Sequence, residues 1–139
     1  MFSKNLSVDK ILRGKISITQ LKKGFRYGFE AVFLASFVNG YLKKFKKKTI
    51  SLADVGSGVG TISLIIAYHN NKINITAIEN NENYLQIANE NIVRNNFQKK
   101  INLMQGDIFN IDNDLMNRFD IVVTNPPFYD RKQKKSENE

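Results

Sequence analysis

A glycine-rich turn is the first feature of the sequence with residue types and spacing that could do chemistry. It reads Asp54-Val55-Gly56-Ser57-Gly58-Val59-Gly60 and lies between a β-prone run and an apolar, helix-prone run. Glycine lets the backbone turn tightly and lie close to a ligand, and the N–H groups of the following helix would point at that ligand. The spacing differs from the dinucleotide-binding pattern G-x-G-x-x-G because residue 61 is threonine, and the Gly-Lys-Ser/Thr sequence of a P-loop is absent.

Acidic residues stand at the ends of three successive β-prone runs: Asp54, Glu79 and Asp107. A carboxylate at residue 54 would repel a pyrophosphate, but it suits a ligand that carries an ammonium and a sulfonium group. Glu79 has the position of an acid that accepts hydrogen bonds from ribose hydroxyls, and Asp107 could accept one from an adenine amino group. The three acids and the glycine turn therefore predict a binding site for a nucleoside-containing cofactor.

A second motif, Asn125-Pro126-Pro127-Phe128, follows the fourth β-prone run, where open α/β sheets bind ligands. An amine conjugated to a purine, or a carboxamide nitrogen, is a poor nucleophile because its lone pair is delocalised. The Asn125 side-chain oxygen and the Pro126 carbonyl could accept its two N–H bonds and draw the nitrogen toward tetrahedral geometry. Pro127 would fix the turn, and Phe128 would offer a flat face for stacking. The motif therefore favours methylation of an amine.

Alternating β-prone and helix-prone runs would bring these motifs together. We predict strands over 49–55, 73–79, 101–105 and 119–124, and helices over 29–41, 61–69 and 83–96. Because the strands are apolar throughout, they predict an α/β fold with a mostly parallel sheet covered on both faces. The first helix has a wide apolar stripe, which is typical of a core-facing helix. Its members are Phe29, Val32, Phe33, Phe37 and Tyr41, widened by Ala31, Leu34, Ala35 and Val38.

Length predicts a single domain, because 139 residues can bury only one core. We divide the chain into an amino-terminal arm, irregular or hairpin-like, over 1–28, a ligand-binding domain over 29–130 and a polar tail over 131–139. No apolar run approaches the ~20 residues that a membrane span needs, so we expect no membrane association.

Composition narrows the classes of function. The absence of cysteine excludes disulfides and thiolate metal sites and indicates a cytoplasmic protein. Because His69 is the only histidine, we predict neither a zinc site nor a histidine-based triad. The formal net charge of +8 favours a polyanionic partner, although an AT-rich genome would raise the lysine count as well.

These motifs resemble those of class I S-adenosylmethionine-dependent methyltransferases that act on nitrogen. The segment from Gln20 to Ala35, QLKKGFRYGFEAVFLA, is more specific. It is similar to the amino-terminal signature of the bacterial tRNA adenine-amino methyltransferases that modify the adenine 3′ of the anticodon in valine tRNA. Glu30 departs from that signature, since relatives commonly have aspartate there. The resemblance spans residues 15–130. Family members continue through three more strands, so we expect a chain truncated after the Asn125–Phe128 motif.

The resemblance implies S-adenosylmethionine as the cofactor and a Rossmann-like three-layer sandwich with strand order 3-2-1-4, without the carboxyl-terminal strands of the family. Asp54 with Gly56 to Gly58 would hold the methionine end, Glu79 the ribose and Asp107 the adenine. The candidate cofactor-binding residues are Arg26, Tyr27, Gly28, Asp54, Gly56, Ser57, Gly58, Gly60, Glu79, Asn80, Asp107, Ile108 and Asn125. The candidate catalytic residues are Asn125, Pro126, Pro127 and Phe128.

The acceptor stays open among related substrates. The 20–35 segment favours an adenine in tRNA, whereas a glutamine side chain in a release factor or a guanine in rRNA would use the same Asn-Pro-Pro sequence. A non-catalytic remnant that only binds cofactor is the alternative of another class. The fourth strand, with Ile121, Val122 and Val123, would leave an unpaired apolar edge. Through that edge we expect either self-association as a homodimer or marginal stability.

Overall fold

The alternating runs form the helices and strands that the sequence predicts. The computed structural model describes residues 5–23, 26–110 and 113–126. Its strands are β1 (Leu6–Ile11), β2 (Ile16–Leu21), β3 (Ile50–Val55), β4 (Ile73–Glu79), β5 (Ile101–Gln105) and β6 (Ile121–Thr124), and its α-helices are α1 (Phe29–Leu42), α2 (Thr61–His69) and α3 (Glu82–Arg94). Short 3₁₀ turns cover Ile108–Asn110 and Asn113–Leu115. Pro127, Phe128 and the predicted tail over 131–139 lie outside the described residues.

Four parallel strands form the main sheet, in the order β5-β4-β3-β6. Numbered along the chain, this is the order 3-2-1-4, so the Rossmann-like α/β prediction is confirmed. Val55 at the end of β3 lies opposite Ile78 on one side and Thr124 on the other, and Glu79 lies opposite Gln105. Because all four strands are parallel, the segments that follow them meet at one edge of the sheet. We call this the carboxyl edge.

The main core lies on one face of the sheet. All three helices contribute buried side chains to it, together with the inward residues of the strands, such as Leu52 and Ile75. On the opposite face, Ala53, Val55 and Ile78 form a smaller buried cluster with Met104 and Phe119. Within the described residues that face is covered by the short turns between β5 and β6 rather than by a helix. None of the described helices is long and apolar enough to span a bilayer.

The aromatic residues of α1 lie on the exposed side of the helix, which differs from the expected core-facing stripe. Phe29, Phe33 and Phe37 are 81%, 71% and 74% exposed, whereas the helix buries Ala31, Ala35, Val38 and Leu42. Small side chains on the buried face let α1 lie close against α2. Because α1 is apolar on nearly every side, the sequence pattern did not reveal which face packs.

The amino-terminal segment forms an antiparallel hairpin of β1 and β2 that two asparagines fasten to α3. The Asn91 amide accepts from the Thr19 N–H at 2.7 Å and donates to the Thr19 carbonyl at 2.9 Å. Asn95, one helical turn later, repeats this pattern with Ser17 at 3.0 and 2.8 Å. Asn91 also donates to the Val59 carbonyl at 3.0 Å. The fully buried Asn91 therefore connects the hairpin, α3 and the glycine turn.

We predict that Asn91→Ala destabilises the fold by about 3 kcal/mol, because it leaves the buried polar groups of Thr19 and Val59 without partners. Urea denaturation measures this loss as a change in the free energy of unfolding. Asn89→Ala is the matched control. Asn89 is exposed on the same helix, so its removal should change stability by no more than about 0.5 kcal/mol. Equal stability of the two variants would contradict this account of Asn91.

Candidate cofactor site

Two connected cavities lie at the carboxyl edge. The larger, of about 580 Å³, is lined by residues that follow all four strands: Val55, Gly56, Gly58, Ile78, Glu79, Asn80, Tyr84, Gly106, Asp107, Ile108, Phe109, Thr124, Asn125 and Pro126. The smaller lies between the glycine turn and α1, and its wall includes Tyr27, Ala31, Ser57 and Thr61. Gly56, Gly58, Tyr84 and Asn125 line both cavities. The two therefore form one cleft with a wide and a narrow end.

The glycine turn forms the floor between the two ends. Gly56 and Gly58 have φ angles of 70° and 56°, and nothing lies within 4 Å of a Cβ built on either residue. Both glycines therefore adopt a left-handed conformation and leave their space to the cleft. The N–H groups of Gly56 and Ser57 donate to the Ile78 carbonyl at 2.9 and 3.0 Å, which anchors the turn to β4. Gly60 does not line the cleft; it is the left-handed N-cap of α2.

Glu79 is held in place by three backbone N–H groups. Its Oε2 accepts from Gly58 at 2.9 Å, and its Oε1 accepts from Asn80 and Asn81 at 2.9 and 2.8 Å. A carboxylate has about four lone-pair positions, two on each oxygen, so Oε1 is fully used and Oε2 can still accept one hydrogen bond from a ligand. The side chain is thus fixed at the cleft wall, where Oε2 can accept from a ligand hydroxyl.

The segment after β5 forms the far wall of the wide end. Asp107 accepts a hydrogen bond from the Phe109 N–H at 3.0 Å through Oδ1, which leaves Oδ2 for a ligand. The Gly106 N–H donates to the Glu79 carbonyl at 3.1 Å, so this wall is tied to the end of β4. Ile108 and Phe109 are 56% and 91% exposed and give this wall an apolar surface suited to a planar base.

Asp54 lies beneath the glycine turn, 1% exposed, and does not line the cleft itself. Its Oδ2 accepts from the Ser63 N–H at 3.2 Å and from the Ser63 hydroxyl at 2.6 Å. The pKa of Asp54 is raised from 3.8 to about 6, because the effect of burial, together with the charge of Glu79, outweighs the two Ser63 hydrogen bonds that lower it. Ionisation of Asp54 therefore lowers the stability of the folded state.

Three buried oxygens around the glycine turn have no hydrogen-bond partner within the described ranges: Asp54 Oδ1, Ser57 Oγ and Thr61 Oγ1. Buried polar atoms normally have partners, and Ser57 and Thr61 lie in the wall of the narrow end. Unpartnered oxygens beside a narrow cavity fit the ammonium group of an amino-acid ligand. The residues present therefore fit S-adenosylmethionine, with the amino-acid end in the narrow part and the nucleoside in the wide part.

The amino-terminal candidates divide between the cleft and the hairpin. Tyr27 lines the narrow end, and burial and the nearby Asp9 carboxylate raise its pKa. The Arg26 guanidinium donates to Ser7 Oγ, the Leu21 carbonyl and Asp9 at 3.0, 3.1 and 3.1 Å. Arg26 therefore braces the hairpin rather than lining the cleft. Gly28 is the N-cap of α1 and lines neither cavity.

Asn125 and Pro126 lie where the acceptor motif was expected, in the wall of the cleft. Sequence reasoning missed Tyr84 and Phe109 as site residues. Tyr84 lies on an amphipathic helix and packs partly against the core, so its position in the sequence does not distinguish it from a core residue. The only sequence feature that pointed to Phe109 as a site residue was its position two residues after Asp107. The described residues contain no cluster of three or more His, Cys, Asp or Glu side chains that could hold a metal ion.

A parallel sheet with a glycine turn after its first strand, and with an acid at or next to the carboxyl end of each of its first three strands, is typical of S-adenosylmethionine-dependent methyltransferases. The family model described as "Methyltransferase small domain" matches residues 37–138. The chain therefore belongs to this family of S-adenosylmethionine-dependent N-methyltransferases.

Several characterised proteins are similar in sequence. The chain is 28% identical over 116 residues to the tRNA1(Val) (adenine(37)-N6)-methyltransferase of a Flavobacteriaceae bacterium, covering 84% of this chain and 47% of that protein. It is 35% identical over 92 residues to the release factor glutamine methyltransferase of Buchnera aphidicola, covering 66% and 32%. It is 36% identical over 81 residues to the ribosomal RNA small subunit methyltransferase C of Alcanivorax borkumensis, covering 58% and 23%. The chain thus spans at most about half the length of these relatives.

Solved structures confirm the fold. A SAM-dependent methyltransferase from Agrobacterium tumefaciens superposes with a TM-score of 0.69 at 16% identity, covering 91% of this chain and 42% of the other. The amino-terminal domain of human METTL16 in complex with SAH gives a TM-score of 0.62 at 18% identity, covering 81% and 47%.

We predict that Asp54→Asn gains stability relative to the wild type as pH rises from about 4 to about 7. An ionised Asp54 is disfavoured in the folded state, because its pKa is about 6 there against 3.8 when exposed. The cost is absent below the exposed pKa and complete above the folded one, and it amounts to about 3 kcal/mol. Urea denaturation across this pH range measures it.

Asp120→Asn is the control, for which we expect the opposite pH dependence of stability. Hydrogen bonds from Lys47 and from the Ser51 N–H lower the pKa of Asp120, so its ionised form stabilises the fold and that contribution disappears as pH falls. A stability difference between wild type and Asp54→Asn that does not change with pH would contradict the buried charge at Asp54.

Proposed function

We propose that this chain transfers the methyl group of S-adenosylmethionine to the exocyclic amine of an adenine in tRNA. Support for the acceptor comes from the 20–35 segment and from relatives. Five of the similar proteins are tRNA1(Val) (adenine(37)-N6)-methyltransferases, three of which align over more than four fifths of this chain. In this proposal residues 29–130 are the methyltransferase domain and 1–28 its amino-terminal arm. A tRNA substrate would place the reaction in the cytoplasm.

The observation that carries the proposal is the position of Asn125. It lines both ends of the cleft, as Gly56, Gly58 and Tyr84 also do. In S-adenosylmethionine the sulfonium joins the amino-acid and nucleoside parts, and when bound it supplies a methyl group activated by positive charge. With the amino-acid part in the narrow end and the nucleoside in the wide end, the sulfonium would lie at the junction. Asn125 would then hold an acceptor nitrogen beside the methyl group.

The chain's own groups would divide the work between binding and orientation. Glu79 Oε2 would accept from a ribose hydroxyl and Asp107 Oδ2 from the adenine amine. Asp54 Oδ1, unpartnered and buried beneath the glycine turn, would attract the ammonium group through a water. The Asn125 oxygen and the Pro126 carbonyl would accept the two N–H bonds of the acceptor amine. This withdraws the nitrogen lone pair from the ring and aims it at the methyl group.

Pro127 and Phe128 complete the motif in the sequence. Pro127 would fix the turn after β6 by restricting φ. Phe128 would stack on the acceptor base, as aromatic side chains do with flipped bases. The proton lost from the nitrogen after methylation can pass to water, so no side chain of high basicity is required.

Two other acceptors share the chemistry of the motif. A release-factor glutamine and an rRNA guanine both carry a delocalised amino group, and the Buchnera and Alcanivorax relatives support these acceptors. We favour tRNA adenine because two of the tRNA relatives align over 116 and 115 residues of this chain, against 92 and 81 for the release-factor and rRNA relatives. A chain that binds cofactor without methyl transfer is the remaining alternative.

The decisive experiment incubates the chain with labelled S-adenosylmethionine and total tRNA and analyses the modified nucleosides. We predict N6-methyladenosine, and we predict that Asn125→Ala lowers turnover by about a hundredfold or more. Cofactor affinity should change little, because the Asn125 oxygen acts on the acceptor. Asn89→Ala, an exposed substitution on α3, should retain wild-type turnover. Detection of methylated guanine instead of methylated adenine would show that the acceptor is guanine. An unaltered turnover rate in Asn125→Ala would show that this residue has no part in the mechanism.

We also propose that two copies associate through β6. Within the described residues β6 pairs only with β3, and Val122 is 62% exposed on the face without helices. An unpaired apolar edge is a template for pairing with another strand. We expect sedimentation to show association that rises with concentration and weakens in Val122→Lys. A monomer at every concentration would exclude this homodimer.

A further inference from the structure

Four aromatic residues on successive turns of α1 form an exposed row, which we call the aromatic stripe. It consists of Phe29, Phe33, Phe37 and Tyr41, with 81%, 71%, 74% and 48% of each residue exposed. Residues four apart lie on the same side of a helix, about 6 Å apart along its axis. The rings of Phe29 and Phe33 have centroids 6.4 Å apart. Exposed aromatic residues in such a row mark a binding surface more often than scattered ones do.

The aromatic stripe begins at the cleft. Phe29 opens α1 two residues after Tyr27, and both Tyr27 and Ala31 line the narrow end of the cleft. At the other end, the Tyr41 ring meets the Phe45 ring edge-on at 5.4 Å. The stripe therefore leads from the candidate site, along the length of α1, to the loop between α1 and β3.

Exposed lysines gather where the aromatic stripe ends. The loop after α1 contains Lys43, Lys44, Lys46, Lys47 and Lys48, all exposed. Two further exposed lysines precede strands: Lys72 lies directly before β4, and Lys99 lies two residues before β5. Because the strands are parallel, the residues before them share the edge of the sheet opposite the cleft. We call these seven lysines the basic edge. In the described residues only Lys47 among them forms an ion pair, with Asp120.

A partner for this surface must match both the rings and the lysines. A second copy of this chain, with a formal net charge of +8, would match the rings but would match the lysines less well than a polyanion does. Single-stranded nucleic acid matches both features, because its bases stack on aromatic rings and its phosphates bind lysine. The spacing of the rings suits an extended strand that places successive bases on successive rings.

We propose that the aromatic stripe and the basic edge bind a single-stranded segment of RNA that flanks the acceptor base. This inference rests on the proposed function, since it takes RNA as the substrate. The strand would pass from the cleft, where Asn125 holds the acceptor, along α1 toward the lysines. Bases would stack on Phe29, Phe33 and Phe37, and phosphates would lie toward Lys43 and Lys44.

The test measures binding of a fluorescein-labelled single-stranded RNA of about twelve nucleotides, an ordinary site size for such surfaces. The double variant Phe33→Leu/Phe37→Leu keeps apolar side chains but loses the flat rings. We expect it to bind the RNA roughly tenfold or more weakly. Tyr68→Leu is the matched control, because Tyr68 is an exposed aromatic residue on α2, off the stripe, and it should bind like the wild type. Titration with S-adenosylhomocysteine should give the same affinity for all three proteins, which shows that the fold is intact.

A second measurement addresses the basic edge. RNA affinity falls with rising salt because each neutralised phosphate releases counterions, with a slope of roughly 0.7 per contact on single strands. Lys44→Gln/Lys48→Gln should bind more weakly at low salt and show a shallower salt dependence. An unchanged slope would overturn the role of the basic edge.

The outcomes separate this proposal from the proposed function. If the wild type and the double leucine variant bind RNA equally, the aromatic stripe is not the RNA surface, while an RNA acceptor still stands. If the wild type binds S-adenosylhomocysteine but no RNA, the RNA acceptor itself is contradicted. If the leucine variant loses self-association in sedimentation and binds RNA normally, the stripe is a contact between copies and the proposal is overturned.

Discussion

The buried amide of Asn91 joins the parts that must meet for the cleft to form. It satisfies both backbone groups of Thr19 in the hairpin and the Val59 carbonyl in the glycine turn, from a fixed position on α3. Asn91 thereby fixes one end of the glycine turn. Glu79 and the Ile78 carbonyl fix the rest of it by accepting hydrogen bonds from its N–H groups. A flexible glycine segment becomes a rigid floor because each of its neighbours is a fixed hydrogen-bond partner.

The parallel sheet also separates charge between its two edges. The carboxyl edge carries Asp54, Glu79 and Asp107, whereas lysines precede three of the four strands at the opposite edge. Acids favour a sulfonium and an ammonium and repel phosphates close to the cofactor. A nucleic acid would therefore approach through a single base at the cleft while its backbone is held elsewhere. The path along α1 suits that requirement, since its exposed face carries a row of rings with one acid, Glu30, in its first turn.

The sequence predicted the parts of the fold that repeat a pattern. Continuous apolar strands, helices of period 3.6 and a glycine turn predicted the elements to within a few residues, and the family resemblance supplied the strand order. The exposed face of α1 could not be predicted, because a helix that is apolar on all sides has no preferred face. The role of Asn91 could not be predicted from the sequence either, because its hydrogen-bond partners are backbone atoms distant in the chain. Arg26 shows the same limit, because only the structure reveals that Asp9 and Ser7 bind it.

The central claim is that the carboxyl-edge cleft binds S-adenosylmethionine through Glu79. Calorimetric titration with S-adenosylhomocysteine tests it most directly, on the wild type, Glu79→Gln and the exposed control Glu82→Gln in the first turn of α3. The amide of Glu79→Gln offers fewer acceptor positions both to the backbone N–H groups and to the ribose. The account predicts micromolar-scale binding, about 8 kcal/mol, for wild type and control, and a loss of about 1.5–3 kcal/mol in Glu79→Gln. Equal affinity in all three proteins, or no binding by the wild type, would contradict it.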